Sequence, residues 1–167
     1  YAEQRIDLKL GAPVRAIDPV ARRLRIGDAD LAYDRLVLAT GAIARRLPPA
    51  IGGALRGVHC IRSIGDVDAM ADAFARARRV LIVGGGYIGL EAAAVAAERG
   101  LSVTLVETAP RILQRVAAAE TADYFRALHR GRGVDIREGV GLARLHGREC
   151  VTAAELTDGT VLAADFV

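Results

Sequence analysis

The pattern of hydrophobic and polar positions in the middle of the chain indicates two strands with a helix between them. The apolar run at residues 80–83 is typical of a buried parallel strand. A segment rich in small alanines follows from Tyr87 and ends at Gly100, which predicts a helix packed on a sheet with a glycine at its C-terminus. A second apolar run at 101–106 predicts the next strand. The pattern therefore predicts a β-α-β unit.

The turn inside this unit has the pattern G-x-G-x-x-G over residues 84–89. Glycine clusters also serve ordinary turns, but this one follows a strand, opens a helix and precedes Glu107 at the end of the second strand. Gly84 permits the tight turn, Gly86 lets a pyrophosphate approach the backbone, and Gly89 lets the helix pack closely. The free amides at the helix start attract phosphate, and the Glu107 carboxylate suits the adenosine ribose hydroxyls. The alternative is a β-α-β unit that binds nothing.

The N-terminal part of the chain has the pattern of a small antiparallel meander. Alternation over residues 1–10 predicts a strand, and further strands are predicted at 14–17 and 24–26, with a turn at 27–30. Residues 33–41 predict a buried strand that ends in a turn of small residues. Prolines, glycines and arginines then replace the periodic pattern at about 42–57, where we predict a linker and a domain boundary.

The remaining elements complete a predicted α/β fold with a parallel sheet and a second meander. Ser63 and Asp66 form a capping-box pattern that opens a helix to about residue 77. A helix is predicted at 118–130 with Tyr124, Phe125 and Leu128 on one face, followed by a third parallel strand at 134–137. The predicted meander strands lie at 140–145, 151–156 and 160–164, and a strand is predicted to begin at 166–167.

Composition and charge exclude several classes of function. The chain is 52% hydrophobic, which suffices for a packed core, and its net charge is only +3 with scattered arginines, so a nucleic-acid face is not expected. No apolar run reaches membrane-spanning length, and we expect a soluble, cytoplasmic protein without membrane contact. Cys60 and Cys150 are too far apart for a C-x-x-C redox pair or a zinc site, and the three histidines lack ligand spacing.

Three stretches make the chain resemble the FAD-dependent pyridine nucleotide-disulfide oxidoreductases, and within them the putidaredoxin-reductase-like ferredoxin reductases of bacterial oxygenase systems. The stretches are YDRLVLATGAIARRLP at 33–48, GVHCIRSIGDVDAM at 57–70 and VLIVGGGYIGLEAAAVAAERGLSVTLVETAPRILQRV at 80–116. The resemblance continues through HRGRGVDIREG at 129–139 and LTDGTVLAAD at 156–165. It therefore covers nearly all of the chain.

The resemblance implies a domain organisation. Residues 1–43 would be a partial FAD-binding segment, residues 44–165 a Rossmann-like, three-layer NAD(H)-binding domain, and residues 166–167 the start of the return into the FAD domain. Complete members also carry an N-terminal G-x-G-x-x-G for FAD and a C-terminal G-D motif, which this sequence lacks. The FAD domain is therefore expected to be incomplete, and the segment alone to be inactive.

The resemblance also assigns residues. Ala39, Thr40, Gly41 and Arg45 would lie near FAD. Tyr87 would lie over the nicotinamide pocket and Glu91 would be the acid beside the nicotinamide, with a helix-dipole role as its structural alternative. The nucleotide-binding set would be Gly84, Gly86, Tyr87, Ile88, Gly89, Glu91, Glu107, Thr108 and Arg111.

The implied function is that of an NADH-dependent ferredoxin reductase. A hydride would pass from NADH to FAD, and single electrons would then pass to a [2Fe–2S] ferredoxin of an oxygenase system. Alternatives within the superfamily are an NADH oxidase, the flavoprotein part of a nitrite reductase, and a disulfide reductase whose cysteine pair lies elsewhere. An alternative of another class is a non-catalytic module that senses NAD.

Overall fold

Two compact units make up the chain, Tyr1–Ala42 and Ile43–Val167. They are seen in a computed structural model that describes the backbone of residues 1–167 and every side chain except that of residue 2. The assignment of these units to an FAD segment and an NAD domain remains a proposal.

The first unit is a three-stranded antiparallel sheet in the order β1-β2-β3. Its strands are β1 (Val14–Asp18), β2 (Arg23–Ile26) and β3 (Ala29–Ala32). The first two confirm the strands predicted at 14–17 and 24–26, whereas the sequence did not predict β3. The predicted turn at 27–30 is too long, because only two residues form the loop and Gly27 adopts a φ of +60° there. Two-residue loops with positive φ match the twist of paired strands, so β3 begins directly at Ala29.

The two other strands predicted for this unit are wrong. Residues 1–10 contain only a 3-10 turn at Ala2–Gln4, and residues 33–41 are irregular. Val37 is 86% exposed, although its apolar neighbours had predicted a buried strand. Apart from the bond from the Tyr33 amide to the Arg22 carbonyl, no neighbouring strand of the described chain offers backbone partners to either segment, and a strand is not stable without such partners.

The second unit combines a parallel sheet, an antiparallel sheet and three helices. The parallel sheet has the order β4-β5-β6 and the antiparallel sheet the order β7-β8-β9. The elements are α1 (Ile64–Arg76), β4 (Arg79–Val83), α2 (Tyr87–Glu98), β5 (Ser102–Glu107), α3 (Ala119–Arg130), β6 (Asp135–Glu138), β7 (Leu142–His146), β8 (Ala153–Leu156) and β9 (Val161–Ala163), with a 3-10 turn at Pro49–Ile51.

Two hydrophobic clusters cover the two faces of the parallel sheet. Val80 and Leu105 belong to the cluster with the helices, which includes Ala93 of α2. Leu81 and Val106 point to the other face and pack with the β7–β9 meander. Successive residues of a strand face opposite sides, so one strand contributes to both clusters. The result is a three-layer α/β unit of helices, parallel sheet and meander, as the sequence predicted.

Local signals set the ends of the helices. The Ser63 hydroxyl accepts a hydrogen bond from the Asp66 amide at 3.3 Å, and the Asp66 carboxylate accepts one from the Ser63 amide at 2.8 Å. This is the predicted capping box, worth about 1 kcal/mol to the start of α1. At the end of α2, Gly100 has a φ of +78°, as expected of a glycine that ends a helix.

The predicted apolar face of α3 is partly wrong. Ala122 and His129 are buried and Phe125 is half-buried, whereas Tyr124 is 64% exposed. Leu128 is half-buried like Phe125, three residues before it, so two of the three predicted residues lie toward the core. The buried residues Ala122 and His129 extend this face with i, i+3, i+7 spacing, and Tyr124 lies outside it.

The region predicted as a linker, at about residues 42–57, packs beside the β7–β9 meander. Leu47, Leu55 and Val58 pack against the second hydrophobic cluster. At the other end of the unit, Phe166 is 6% exposed and its carbonyl accepts a hydrogen bond from the Leu81 amide at 2.9 Å. Residues on both sides of the Rossmann-like segment are therefore fixed to its sheet.

Candidate dinucleotide-binding site

The glycine-rich turn leaves the sheet at the carboxyl end of β4. Gly84 continues the parallel pairing through its amide, which donates to the Val106 carbonyl at 2.8 Å, and it has a φ of +118° that other residues rarely adopt. A Cβ atom at Gly89 would lie 2.0 Å from the Gly84 carbonyl oxygen. These two glycines are therefore required by the turn and by the close packing of α2 on it.

Gly86 has no such structural requirement. Its φ of −81° suits any residue, and a Cβ atom built there meets nothing within 4 Å. It is the N-cap residue of α2, and no side chain caps this helix. The amides of Tyr87, Ile88 and Gly89 have no acceptor in the part of the chain that the structure describes. Open space beside a backbone with free donors at the positive end of a helix fits a pyrophosphate.

Gly85, the middle glycine, is held from both sides. Its amide donates to Glu107 Oε2 at 2.7 Å, and its carbonyl accepts from the Leu113 amide at 2.9 Å. A Cβ atom at Gly85 would lie 2.7 Å from Ile112 Cγ2. The motif pattern leaves this position unspecified, so the sequence did not reveal that glycine is needed here.

Glu107 connects the turn with the segment that follows β5. Besides Gly85, its carboxylate accepts from the Ala109 amide at 2.8 Å and from the Thr108 hydroxyl at 3.3 Å, both through Oε1. A carboxylate has about four acceptor sites, so these three bonds leave about one for a ligand hydroxyl. Glu107 and Thr108 thus lie beside the glycine-rich turn.

Arg111 binds the carbonyls of its own loop. Its guanidinium donates to the Ala117 carbonyl at 3.1 Å and to the Gln114 carbonyl at 3.4 Å. The side chain therefore braces the segment before α3. The resemblance had placed Arg111 in the nucleotide-binding set, and these intramolecular bonds were not visible in the sequence.

Three predicted nucleotide residues on α2 line two cavities, with Ile88 at one, Tyr87 at the other and Glu91 at both. Ile88 and Glu91 line a cavity of about 620 Å³, which Arg45 also lines. The Glu91 side chain is exposed and has no hydrogen bond or ion pair with the described residues. Tyr87 lies outside this cavity, and its hydroxyl donates to the Val116 carbonyl at 3.4 Å. The structure thus places Arg45 and Glu91 along one cavity.

The predicted flavin turn lies in the first unit. Ala39, Thr40 and Gly41 have irregular backbone, and Gly41 has a φ of +69°.

Metal binding, histidine chemistry and membrane insertion each place requirements on the described residues. Among the described residues, no cluster of His, Cys, Asp or Glu could hold a metal ion. Burial lowers the pKa of His59 and, together with nearby Arg132, that of His129, so both are neutral packing residues at pH 7. None of the described helices has the length and apolar character needed to cross a bilayer.

Fold and site together define a dinucleotide-binding α/β protein of the Rossmann type. The profile of the pyridine nucleotide-disulphide oxidoreductases matches residues 2–167, so the chain belongs to this family of oxidoreductases. The predicted family is thereby confirmed.

Known relatives within this family include ferredoxin reductases. The ferredoxin reductase subunit of a 5,5'-dehydrodivanillate O-demethylase from Sphingobium sp. is 41% identical over 170 residues, which covers all of this chain and 41% of that protein. The ferredoxin reductase of the CYP199A2 system from Rhodopseudomonas palustris superposes with a TM-score of 0.85 at 34% identity, over 99% of this chain and 41% of that one.

A second solved structure is a covalent putidaredoxin reductase–putidaredoxin complex. It has a TM-score of 0.81 and 39% identity, over 100% of this chain and 42% of that one. The chain thus spans about two fifths of the length of the relatives that it matches.

Proposed function

We propose that this chain is the NAD(H)-binding part of an NADH-dependent, FAD-containing ferredoxin reductase that serves a [2Fe–2S] ferredoxin of an oxygenase system. The observation that carries the proposal is the glycine-rich turn, whose open backbone at Gly86 lies beside the anchored carboxylate of Glu107. Similarity to proteins named ferredoxin reductases supports the choice of electron acceptor. The activity is assigned to the whole protein that carries the chain.

The proposed division of the chain follows its two compact units. Residues 1–43 would contribute to the FAD-binding domain, residues 44–165 would form the NAD(H)-binding domain, and residues 166–167 would begin the return into the FAD domain. Ala39, Thr40, Gly41 and Arg45 would lie near FAD. The first compact unit ends at Ala42, one residue before the proposed boundary, which supports this division.

Within the NAD(H)-binding domain each group has a proposed task. The backbone at Gly84, Gly86 and Gly89 and the first amides of α2, including that of Ile88, would bind the pyrophosphate. Glu107 would accept hydrogen bonds from the adenosine ribose hydroxyls, with Thr108 beside it and Arg111 bracing the adjoining loop.

Tyr87 and Glu91 would act nearer the nicotinamide. Glu91 lies in the second turn of α2 and lines the cavity shared with Arg45, where its charge would orient the nicotinamide ring. Tyr87 is assigned to the nicotinamide pocket through the resemblance, and its exposed side chain is held only by one 3.4 Å hydrogen bond to Val116.

When bound, NADH and FAD would supply the redox chemistry, hydride transfer from the nicotinamide to the flavin and release of single electrons from the flavin. The protein's contribution is to bind, align and shield the reactants. A one-electron acceptor needs no cysteine pair in this domain, which suits a chain whose cysteines, Cys60 and Cys150, are both free thiols. The proposed location of the whole protein is the cytoplasm.

The test uses the whole protein that carries this chain, purified with its flavin. We expect NADH to reduce the flavin and then an added [2Fe–2S] ferredoxin, followed by the visible spectra of both groups. NADH consumption that proceeds equally well with oxygen or a disulfide in place of ferredoxin would contradict the proposed acceptor. A purified protein without a flavin spectrum would contradict the reductase assignment and favour a nucleotide-sensing module.

A further inference from the structure

A half-buried ion pair joins α3 to the end of β6. The guanidinium of Arg126 donates to Glu138 through two bonds, from Nε to Oε2 at 2.7 Å and from Nη2 to Oε1 at 2.8 Å. The two side chains are 19% and 15% exposed. A second, mostly exposed carboxylate, Asp123, also accepts from Arg126. Such a two-bond pair fixes both position and orientation of the carboxylate.

Glu138 has a second partner, and this partner belongs to the loop after β5. Its Oε1 atom accepts a hydrogen bond from the Ile112 amide at 2.8 Å. Ile112 itself is fully buried. Two backbone bonds complete the attachment of this loop to the residues after β6, from the Gly139 amide to the Ala109 carbonyl at 2.9 Å and from the Val140 amide to the Glu107 carbonyl at 3.0 Å.

The same loop holds the glycine-rich turn. Ile112 fills the space where a side chain at Gly85 would lie, and the Leu113 amide donates to the Gly85 carbonyl. Leu113 adopts a φ of +55°, which is unfavourable for a leucine. Strained backbone of this kind persists only when surrounding contacts impose it. The bond from Ile112 to Glu138 is one such contact, at the residue directly before the strained one.

On the basis of the proposed NAD(H)-binding function, we infer that Glu138 and Arg126 are positioning residues for the dinucleotide. Glu138 holds Ile112, the Ile112–Leu113 segment holds Gly85, and Gly85 sets the course of the backbone that binds the pyrophosphate. The function of the pair thus depends on the acceptor oxygen that Glu138 presents to Ile112. Arg126 keeps that oxygen in place.

Two variants of Glu138 separate positioning from general stabilisation. Glu138→Gln keeps the shape and a carbonyl oxygen for the Ile112 amide, whereas Glu138→Met keeps the approximate shape and has no acceptor; both lack the charge. Titration of the whole protein that carries this chain with NADH should give wild-type affinity within about threefold for the Gln variant and a loss of about tenfold for the Met variant, the loss expected for one hydrogen bond. Melting curves recorded in parallel should show both variants destabilised.

The control variant is Asp165→Asn, which removes another ion pair of the same unit, between Asp165 and Arg79, away from the turn. It should lower the melting temperature and leave NADH affinity unchanged. Should Glu138→Met fail to fold, Arg126→Met replaces it, with a several-fold loss of affinity expected because the carboxylate loses its anchor.

The outcomes distinguish two failures. Wild-type affinity in a folded Glu138→Met or Arg126→Met variant, or equal losses for Gln and Met, would overturn this inference alone. A wild-type whole protein that does not bind NADH would overturn the proposed function and the inference with it.

Discussion

The amide of Gly85 donates a hydrogen bond of 2.7 Å to the carboxylate of Glu107. This bond joins the turn proposed to bind the pyrophosphate to the acid proposed to bind the ribose, although the two residues belong to different strand ends. A dinucleotide that spans both groups therefore meets a site in which their relative position is already set.

We expect the chain to bind NADH more tightly than NADPH. The phosphate of NADPH would replace a hydroxyl that can donate to Glu107 and would be repelled by the carboxylate. A hydrogen bond to a charged group is worth about 1.5–3 kcal/mol and each ~1.4 kcal/mol is a factor of ten, so discrimination of about ten- to a hundredfold follows. Arg111, which could otherwise meet the phosphate, donates to the carbonyls of Ala117 and Gln114 instead.

Titration with both nucleotides at one ionic strength measures this preference, and Glu107→Gln should reduce it. Equal affinities, or tighter binding of NADPH, would show that Glu107 does not face the ribose.

Replacing Glu91 by Gln in the whole protein should weaken NADH binding or slow flavin reduction without affecting the fold. The amide preserves the shape of the side chain and removes its charge. A helix-dipole role would instead lower stability by a few tenths to 1 kcal/mol. Glu91 lies in the second turn of α2, where the dipole effect is already weak, and it has no partner among the described residues. Stopped-flow flavin reduction beside a melting curve decides, and unchanged binding and reduction rates would refute the assignment.

Acid should destabilise the fold partly through Asp165. Burial raises the pKa of this carboxyl, but hydrogen bonds from the amides of Arg79 and Arg78 and from the Arg79 guanidinium outweigh it, and the net pKa is lowered. Because the folded pKa is below the unfolded value of about 3.9, its stabilisation is present above that pH and is lost as the pH falls through the folded pKa.

Asp165→Asn should therefore lower the free energy of unfolding by about 1 kcal/mol at pH 7, a modest value for a partly exposed pair. Below pH 4, the free energy of unfolding of the variant should fall less steeply with pH than that of the wild type. Urea unfolding at pH 7 and pH 3 measures both quantities. If the variant loses stability in acid as steeply as the wild type does, the lowered pKa of Asp165 does not contribute to stability.

The sequence predicted those features that depend on neighbours along the chain. The Ser63 capping box, the Gly100 helix end and the β4-turn-α2-β5 order all follow from local spacing, and the structure contains each of them. Apolar runs also located the third parallel strand and the second meander. These signals act over a few residues, which is why one sequence suffices to detect them.

Features that depend on distant partners were not predictable in this way. Residues 33–41 have strand-like composition, but a strand requires a hydrogen-bonding neighbour, which no local pattern reports. The need for glycine at 85 arises from Ile112, and the Arg126–Glu138 pair joins α3 to β6. Such pairings follow from the fold and leave no periodic trace in the sequence.

The central claim is that a dinucleotide pyrophosphate binds against the backbone at Gly86, and Gly86→Ala tests it most directly. The new methyl group meets nothing within 4 Å and the φ of −81° tolerates alanine, so stability should change by no more than about 1 kcal/mol. Gly89→Ala is the contrasting control, because its methyl group would meet the Gly84 carbonyl and disturb the fold itself.

Calorimetric titration of the Gly86→Ala chain with NADH is the decisive measurement. The proposed site predicts a loss of affinity of at least tenfold with a nearly unchanged melting temperature, because the methyl group would occupy the space required by the pyrophosphate. Wild-type affinity for NADH in this variant would contradict the claim that the glycine-rich turn binds the nucleotide.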